Sequence, residues 1–436
     1  MEKLKFGVVG YGQRGKNLTE GILCGMQDVA VTAVCDEYPD RVEQAQSDVE
    51  KKSGYRPAGY TEYRRMFEDS RPDAVLIATS WETHIAVAID ALRAGIPVAL
   101  EVGGAYSTEE LWDLVHTREA TGTPLMFMEN CCFGKEELLA ASLARNGVFG
   151  RVVHCHGAYG HYLCEEIAGG MQNRHYRLRN YLTRNCENYP THELGPIAKI
   201  LNVNRGNRMV SLVSVASCSE GMEEYIRLHA EKYPELLGRK FRQGDIVDTI
   251  ITCANGETIS LRLDTTLPRH YARELTVRGT RGMYEQSNHY VHLMGDHEGW
   301  ITADHYKKYA GNAANYEKDY LPQCWKEITP EEIRAGHGGM DAIEFRVFVD
   351  CLKNGKEFPI DVYDAAAWMC ITPLSEISVA QGGMPQGIPD FTNGMWTRRS
   401  PLDVVELGGE IEAYLNLNKN VKLSAEAGES RGGGGA

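Results

Sequence analysis

Leu4-Lys-Phe-Gly-Val-Val-Gly10-Tyr-Gly12-Gln-Arg-Gly15 decides the fold. An apolar run ends in a Gly-x-Gly-x-x-Gly turn and opens into a helix-compatible stretch, Lys16 to Met26. Each glycine has a physical task. Gly10 permits a tight turn, Gly12 lets a pyrophosphate approach the backbone, and Gly15 lets helix and strand pack closely. A diphosphate then rests on the helix N-terminus, where unpaired N–H groups and the helix dipole favour negative charge. A second apolar strand, Val29 to Val34, leads to Asp36, 21 residues after Gly15. A carboxylate there accepts from both ribose hydroxyls and repels a 2′-phosphate, which predicts NAD(H) over NADP(H).

The surrounding chain has 436 residues, long enough for two domains with separate cores. With 43% hydrophobic and 24% charged residues, it has an ordinary globular composition. It contains no apolar run long enough to span a bilayer, and its first residues run straight into strand one, so a cytoplasmic protein is expected. Twelve scattered cysteines without a CxxC pair suggest reduced thiols, with Cys131 and Cys132 buried. The net charge of −14 argues against nucleic acid or an anionic membrane as partners. The stretch 424–436 reads as a disordered tail.

Taken in order, helical stretches (40–52, 63–69, 85–94, 107–121) accompany apolar strands (74–79, 97–101, 124–129). Ser107 with Glu110 forms a capping box. Residues 1–130 therefore read as β-α-β-α-β-α-β-α-β, a doubly wound parallel sheet. Residues 131–423 read as an α+β domain with a mostly antiparallel open sheet. Its strands are expected at 152–159, 209–216, 248–253, 258–264 and 274–278, with turns at Asn255-Gly256 and Thr280-Arg281-Gly282. Amphipathic helices are expected at 344–352 and 361–381, the latter returning to the nucleotide domain. The open sheet face suggests a homo-oligomer, a dimer or larger.

Two clusters could carry chemistry. Tyr159-Gly-His161 ends a strand, and Asn188-Tyr189-Pro-Thr-His192 starts a helix with Tyr189 and His192 three apart. Both side-chain types transfer protons near neutral pH when a site tunes them, yet at a helix start they more often cap or pack. His154 and His156 share a strand face without an evident third ligand, so packing is expected and no metal. The glycine-rich turn Gly336 to Asp341 either shapes the pocket or caps the next helix.

The fingerprint, the Trp81-Glu-Thr-His84 loop and the domain order resemble the Gfo/Idh/MocA oxidoreductases. Most of that family carries Glu-Lys-Pro where this chain has Glu101-Val102-Gly103, and that lysine assists alcohol oxidation. A nearer resemblance is to glycoside hydrolase family 109, the NAD-dependent α-N-acetylgalactosaminidases, which also lack the lysine. It rests on Gly10 to Gly15, Trp81-x-x-His84, Glu129-Asn130-Cys131-Cys132, Gly157-Ala-Tyr-Gly-His161, Arg177 through Asn185, Tyr189-Pro-Thr-His192, Pro268-Arg-x-Tyr271-x-Arg273 and His337-Gly-Gly-Met-Asp341. The chain departs from the family at Gly103, where the family has proline, and in a shorter connection from His161 to Arg177.

The resemblance implies NAD contacts from Gln13, Arg14, Asp36, Trp81, His84, Glu101, Val102 and Asn130, beside Gly10, Gly12 and Gly15. It implies a sugar site of Glu129, Tyr159, His161, Arg177, Tyr189, His192 and Tyr271. The implied reaction is hydrolysis of a small glycoside by transient oxidation at C3, elimination across C1–C2, water addition and re-reduction, on a tightly bound NAD recycled each turnover. The alternatives are a sugar or inositol dehydrogenase releasing a keto product, and a catalytically silent NAD-binding sensor.

Overall fold

The structure, a computed structural model, describes residues 3–296, 299–300 and 302–408. The expected tail at 424–436 lies outside the described residues. The first sheet contains six parallel strands: β1 (Leu4–Val9), β2 (Val29–Cys35), β3 (Ala58–Tyr60), β4 (Ala74–Ile77), β5 (Val98–Glu101) and β6 (Leu125–Met128). Their order is β3-β2-β1-β4-β5-β6. β4, β5 and β6 are buried along their whole length, because helices cover both faces and continuous apolar runs are what such strands require. The short edge strand β3 adds one strand to the expected pattern. Strand order reverses between β1 and β4, and a ligand crevice opens beyond their carboxyl ends.

The first helix differs from its expected span. It runs Gln13–Gly21 and is followed by a separate 3-10 turn, Leu23–Gly25. The Thr108–Thr121 helix has the full capping box, with Ser107 Oγ accepting from the Glu110 N–H at 3.2 Å.

The second sheet contains β7 (Val152–Gly160), β8 (Met209–Ala216), β9 (Ile246–Cys253), β10 (Thr258–Asp264), β11 (Thr276–Gly279), β12 (Gly282–Glu285), β13 (Tyr290–Leu293) and β14 (Gln386–Gly387). Their order is β13-β12-β11-β7-β10-β9-β8-β14. All pairings are antiparallel except β7 with β10. Asn255-Gly256 makes the β9–β10 hairpin, with Gly256 at φ +95°. One face of β7 lies against the Thr191–Ile200 helix. That approach needs Gly157, since a Cβ there would sit 2.7 Å from the Cβ of Glu193. The other face carries His154 and His156, bonded across the strands to Thr258 and Ser260 at 2.8 Å each.

The stretch expected as one amphipathic helix over 361–381 is two helices, Val362–Met369 and Ile371–Ala380. Pro373 lies in the first turn of the second and has no N–H to continue the first. The first is nearly all buried, because it packs between both halves of the molecule. Two further contacts tie these C-terminal elements to the nucleotide sheet. The Phe127 N–H donates to Ile360 O at 3.0 Å, and Phe348 of the Met340–Asn354 helix meets Phe6 edge-on at 5.8 Å.

Candidate active site

The floor of the site is the turn after β1. Gly10 has φ +94°, and a Cβ on Gly15 would lie 2.0 Å from Gly10 O, so neither position accepts a side chain. Gly12 is different: the nearest atom to its would-be Cβ is Arg41 Nη1, at 3.9 Å. Space therefore stands open over the N-terminus of the Gln13–Gly21 helix, whose first turn has no side-chain cap and no acid. Gln13 itself bonds Asn17 at 2.8 Å.

Asp36 is buried and accepts from the Tyr11 and Tyr38 N–H groups at 2.7 and 3.0 Å. At the end of β4, Thr79 Oγ1 and both ring nitrogens of His84 are buried with no partner among the described residues. Burial pushes His84 down to about 4, so its ring is neutral. Open space over the turn, an oriented carboxylate and buried polar atoms awaiting partners together fit a dinucleotide. Val102 is buried, and its N–H donates to the Glu101 carboxylate at 3.3 Å.

Arg14, Glu101 and Asn130 engage protein groups. Arg14 donates to Glu101 at 3.0 Å and twice to Asp341, at 2.8 and 3.0 Å. Asp341 also accepts from Asn130 at 2.7 Å and meets His337 Nδ1 at 2.9 Å. Burial alone would raise the Asp341 carboxyl, but Arg14 and His337 hold it well below the usual range. The glycine turn before this helix thus reaches the nucleotide loop. Gly336 is required there, since a Cβ would fall 2.4 Å from Asp341 Oδ2.

Above this floor stands a cluster of rings. Tyr159 lies 4.6 Å from Tyr189 and 5.5 Å from His192, and Tyr189 lies 4.7 Å from His192. The strand end brings in His161, whose Nδ1 is 3.0 Å from Tyr159 Oη, and Tyr271 packs edge-on against His161 at 5.1 Å. Trp81 stacks on Tyr189 at 5.4 Å and joins the cofactor crevice to the cluster. His192 Nδ1 is 2.7 Å from Glu129 Oε1. Burial pushes Glu129 up, but His192 and the Cys131 N–H hold it below the ordinary value. Burial raises Tyr159 and Tyr189 well above the ordinary phenol, so both are neutral donors. Burial and the Arg177 charge lower His161.

Arg177 lies 5.0 Å from both the Trp81 and Tyr189 rings, with Nε 2.7 Å from Glu166. The structure thus draws Glu129, Tyr159, His161, Arg177, Tyr189, His192 and Tyr271 into one connected cluster. The sequence reading missed Glu166, His175 and Tyr176, and singled out Asp341 only as part of the glycine-rich turn. Tyr176 packs on Trp81 at 4.7 Å, and His175 stacks on Tyr176 at 4.5 Å. Their adjacency to Arg177 was the available signal. Glu129, Cys131 and His192 also offer ligand atoms within 4.8 Å of one another, a donor set able to take a divalent cation.

A doubly wound nucleotide domain joined to an open-sheet domain, with a cluster of Tyr, His and Trp rings at the seam, defines an NAD-binding enzyme of the oxidoreductase fold. Residues 4–128 match the Gfo/Idh/MocA model, described as an oxidoreductase family with an NAD-binding Rossmann fold. Residues 133–398 match the C-terminal domain of glycosyl hydrolase 109. An alpha-N-acetylgalactosaminidase of Tannerella forsythia is 35% identical over 423 residues, covering 91% of this chain and 88% of that protein. One from Shewanella oneidensis is 34% identical over 415 residues, covering 93% and 88%. Among solved structures, myo-inositol 2-dehydrogenase from Lactobacillus plantarum shares the fold at TM-score 0.63 and 15% identity, covering 89% of this chain and all of that one. The chain belongs to glycosyl hydrolase family 109.

Proposed function

We propose that the protein cleaves a glycoside, an N-acetylgalactosaminide or related hexoside, by oxidising the sugar transiently at C3. The first domain binds the nucleotide, and the described residues of the second domain shape most of the sugar pocket. NAD supplies a hydride acceptor for C3 that serves as hydride donor before the product leaves.

The Glu129–His192 pair carries the reading. A fully buried Glu129 accepts from His192 Nδ1–H, which orients the ring so that Nε2 serves the C3 hydroxyl proton. Tyr189 and Tyr159 remain neutral phenols and donate to a C3 ketone oxygen. That ketone acidifies the C2 proton. His161, held by its Nδ1 contact with Tyr159 Oη, takes this proton as the C1–O bond breaks and the aglycone leaves. Water then adds at C1 and a proton returns to C2. Direct displacement would instead need two available carboxylates. Of the carboxylates at the cluster, Glu129 is engaged with His192 and Glu166 with Arg177.

Contacts across the crevice support retention of NAD through each turnover. Arg174 pairs with Asp40 at 2.7 Å, Arg41 donates to Asn173 O at 3.0 Å, and Arg179 pairs with Glu82 at 2.8 Å. Twelve unpaired cysteines suit a reducing, cytoplasmic setting. Among the described residues, no helix is long and apolar enough to cross a membrane. Val215 and Ile250 are exposed on the outer face of the second sheet, where copies would associate. Light scattering measures that association.

The functional test uses purified protein, aryl glycosides and no added NAD. Aglycone release without net NADH is expected. Steady NADH accumulation with an intact glycoside would overturn the reading in favour of a dehydrogenase. Retained nucleotide without turnover would overturn it in favour of a sensor.

A further inference from the structure

The connection from His161 to Arg177 contains the short Cys164–Ala168 helix, which brings Glu166 to Arg177. Arg177 is buried against Trp81 and Tyr189, and neither its Nε nor its Nη1 donates a well-formed hydrogen bond among the described residues. A buried guanidinium at the sugar cluster would ordinarily select a carboxylate, sulfate or phosphate. Here Glu166 forms an ion pair with it, an oxygen 2.7 Å from Nε, and His175 Nε2 lies 3.8 Å from the same Glu166 oxygen. The Glu166 side chain is 44% exposed, so its charge also faces incoming solute. The other charges against the rings are the negative Glu129 and Arg273, which donates to Tyr271 Oη at 3.2 Å and is compensated by Glu137 at 2.6 Å. His161 and His175 are neutral: burial lowers both, the latter to about 4. The cluster therefore has no uncompensated positive charge among these groups, yet Arg177 retains a free N–H for a neutral oxygen.

We propose that Glu166 sets the charge class of the sugar: by pairing with Arg177 it restricts the pocket to uncharged hexosides and hexosaminides and rejects uronic acids and sugars bearing sulfate or phosphate. This rests on the glycosidase reading above. Glu166 acts through Arg177 and is a specificity-determining residue with no assigned part in proton transfer. Removing its charge frees a guanidinium edge and removes the repulsion together.

The test compares wild type with Glu166→Gln and Glu166→Asp on neutral aryl hexosides and aryl uronides. Glu166→Gln is expected to raise the uronide-to-neutral ratio of kcat/KM at least about tenfold, mostly through KM, while Glu166→Asp stays near wild type. A ratio within about twofold of wild type, or a wild-type preference for the uronide, overturns the proposal. Calorimetric titration with galacturonate and with galactose gives a second readout. Glu166→Gln should bind galacturonate about tenfold tighter than wild type does. If neither protein cleaves a glycoside but this shift appears, the glycosidase reading fails and the role of Glu166 stands. If both cleave glycosides and neither readout moves, only the role of Glu166 fails.

Discussion

The nucleotide turn and the ring cluster are built in opposite ways. The turn is local: Gly10, Gly12, Gly15 and Asp36 lie within one β-α-β unit and act mainly through backbone geometry. The cluster is assembled from distant parts. Glu129 follows β6, Tyr159 and His161 end β7, Tyr189 and His192 open a helix, and Tyr271 precedes β11. The first can be damaged by adding one methyl group. The second depends on side chains whose environments are fixed by separate elements. An NAD-binding turn of the oxidoreductase fold thus sits beneath a cluster of Tyr, His and Glu side chains that the fold does not dictate.

The sharpest way to break the comparison is to remove chemistry from the cluster and leave the turn alone. His192→Ala should lower kcat/KM on an aryl glycoside by about 10³-fold, with bound NAD and melting temperature nearly unchanged. Full retention of cleavage would sink the site assignment. The seam comes next. Asp341→Ala strips Arg14 of one of its two carboxylate partners in a mostly buried setting and should cost about 3 kcal/mol in chemical denaturation. NAD content should fall with it, because the same ion cluster positions the turn.

The turn itself is the third target. On Gly15→Ala, a Cβ would lie 2.0 Å from Gly10 O and force the backbone apart, at a cost of about 2 kcal/mol. Bound NAD, read by absorbance after gel filtration, should be lost before the fold is. The smallest effect is a slope with pH. Glu187 is buried under the Tyr189 loop and its pKa is raised from 4.5 to about 8, by burial first. Between those values the folded protein keeps a proton that the unfolded chain has released. Stability therefore falls as pH rises through this window and levels off above it. Glu187→Gln should flatten that slope in melting temperature measured from pH 5 to about 8.5.

The same contrast explains what could be read without coordinates. The Rossmann half was legible because its signals are short-range: a Gly-x-Gly-x-x-Gly turn after an apolar strand, an acid in register and a capping box at Ser107. β3 escaped because three residues at a sheet edge leave little pattern. Pro373 marks the break in the return helix, but an all-buried run on both sides masks the boundary. In the cluster, resemblance supplied residues that spacing alone could not join. Neither resemblance nor spacing revealed that Arg14 is held by Asp341, more than 300 positions away, or that Glu166 covers Arg177. Those pairings depend on how the Met340–Asn354 helix and the His161–Arg177 connection dock, which is tertiary information.

The central claim is that a ketone forms at C3 and loosens the C2 proton while NAD stays bound. The most direct measurement is the isotopic content of the sugar released from an aryl glycoside in deuterated water, without added NAD. The account predicts one deuterium at C2 and no net NADH. Glycoside cleavage with protium fully retained at C2 would contradict it.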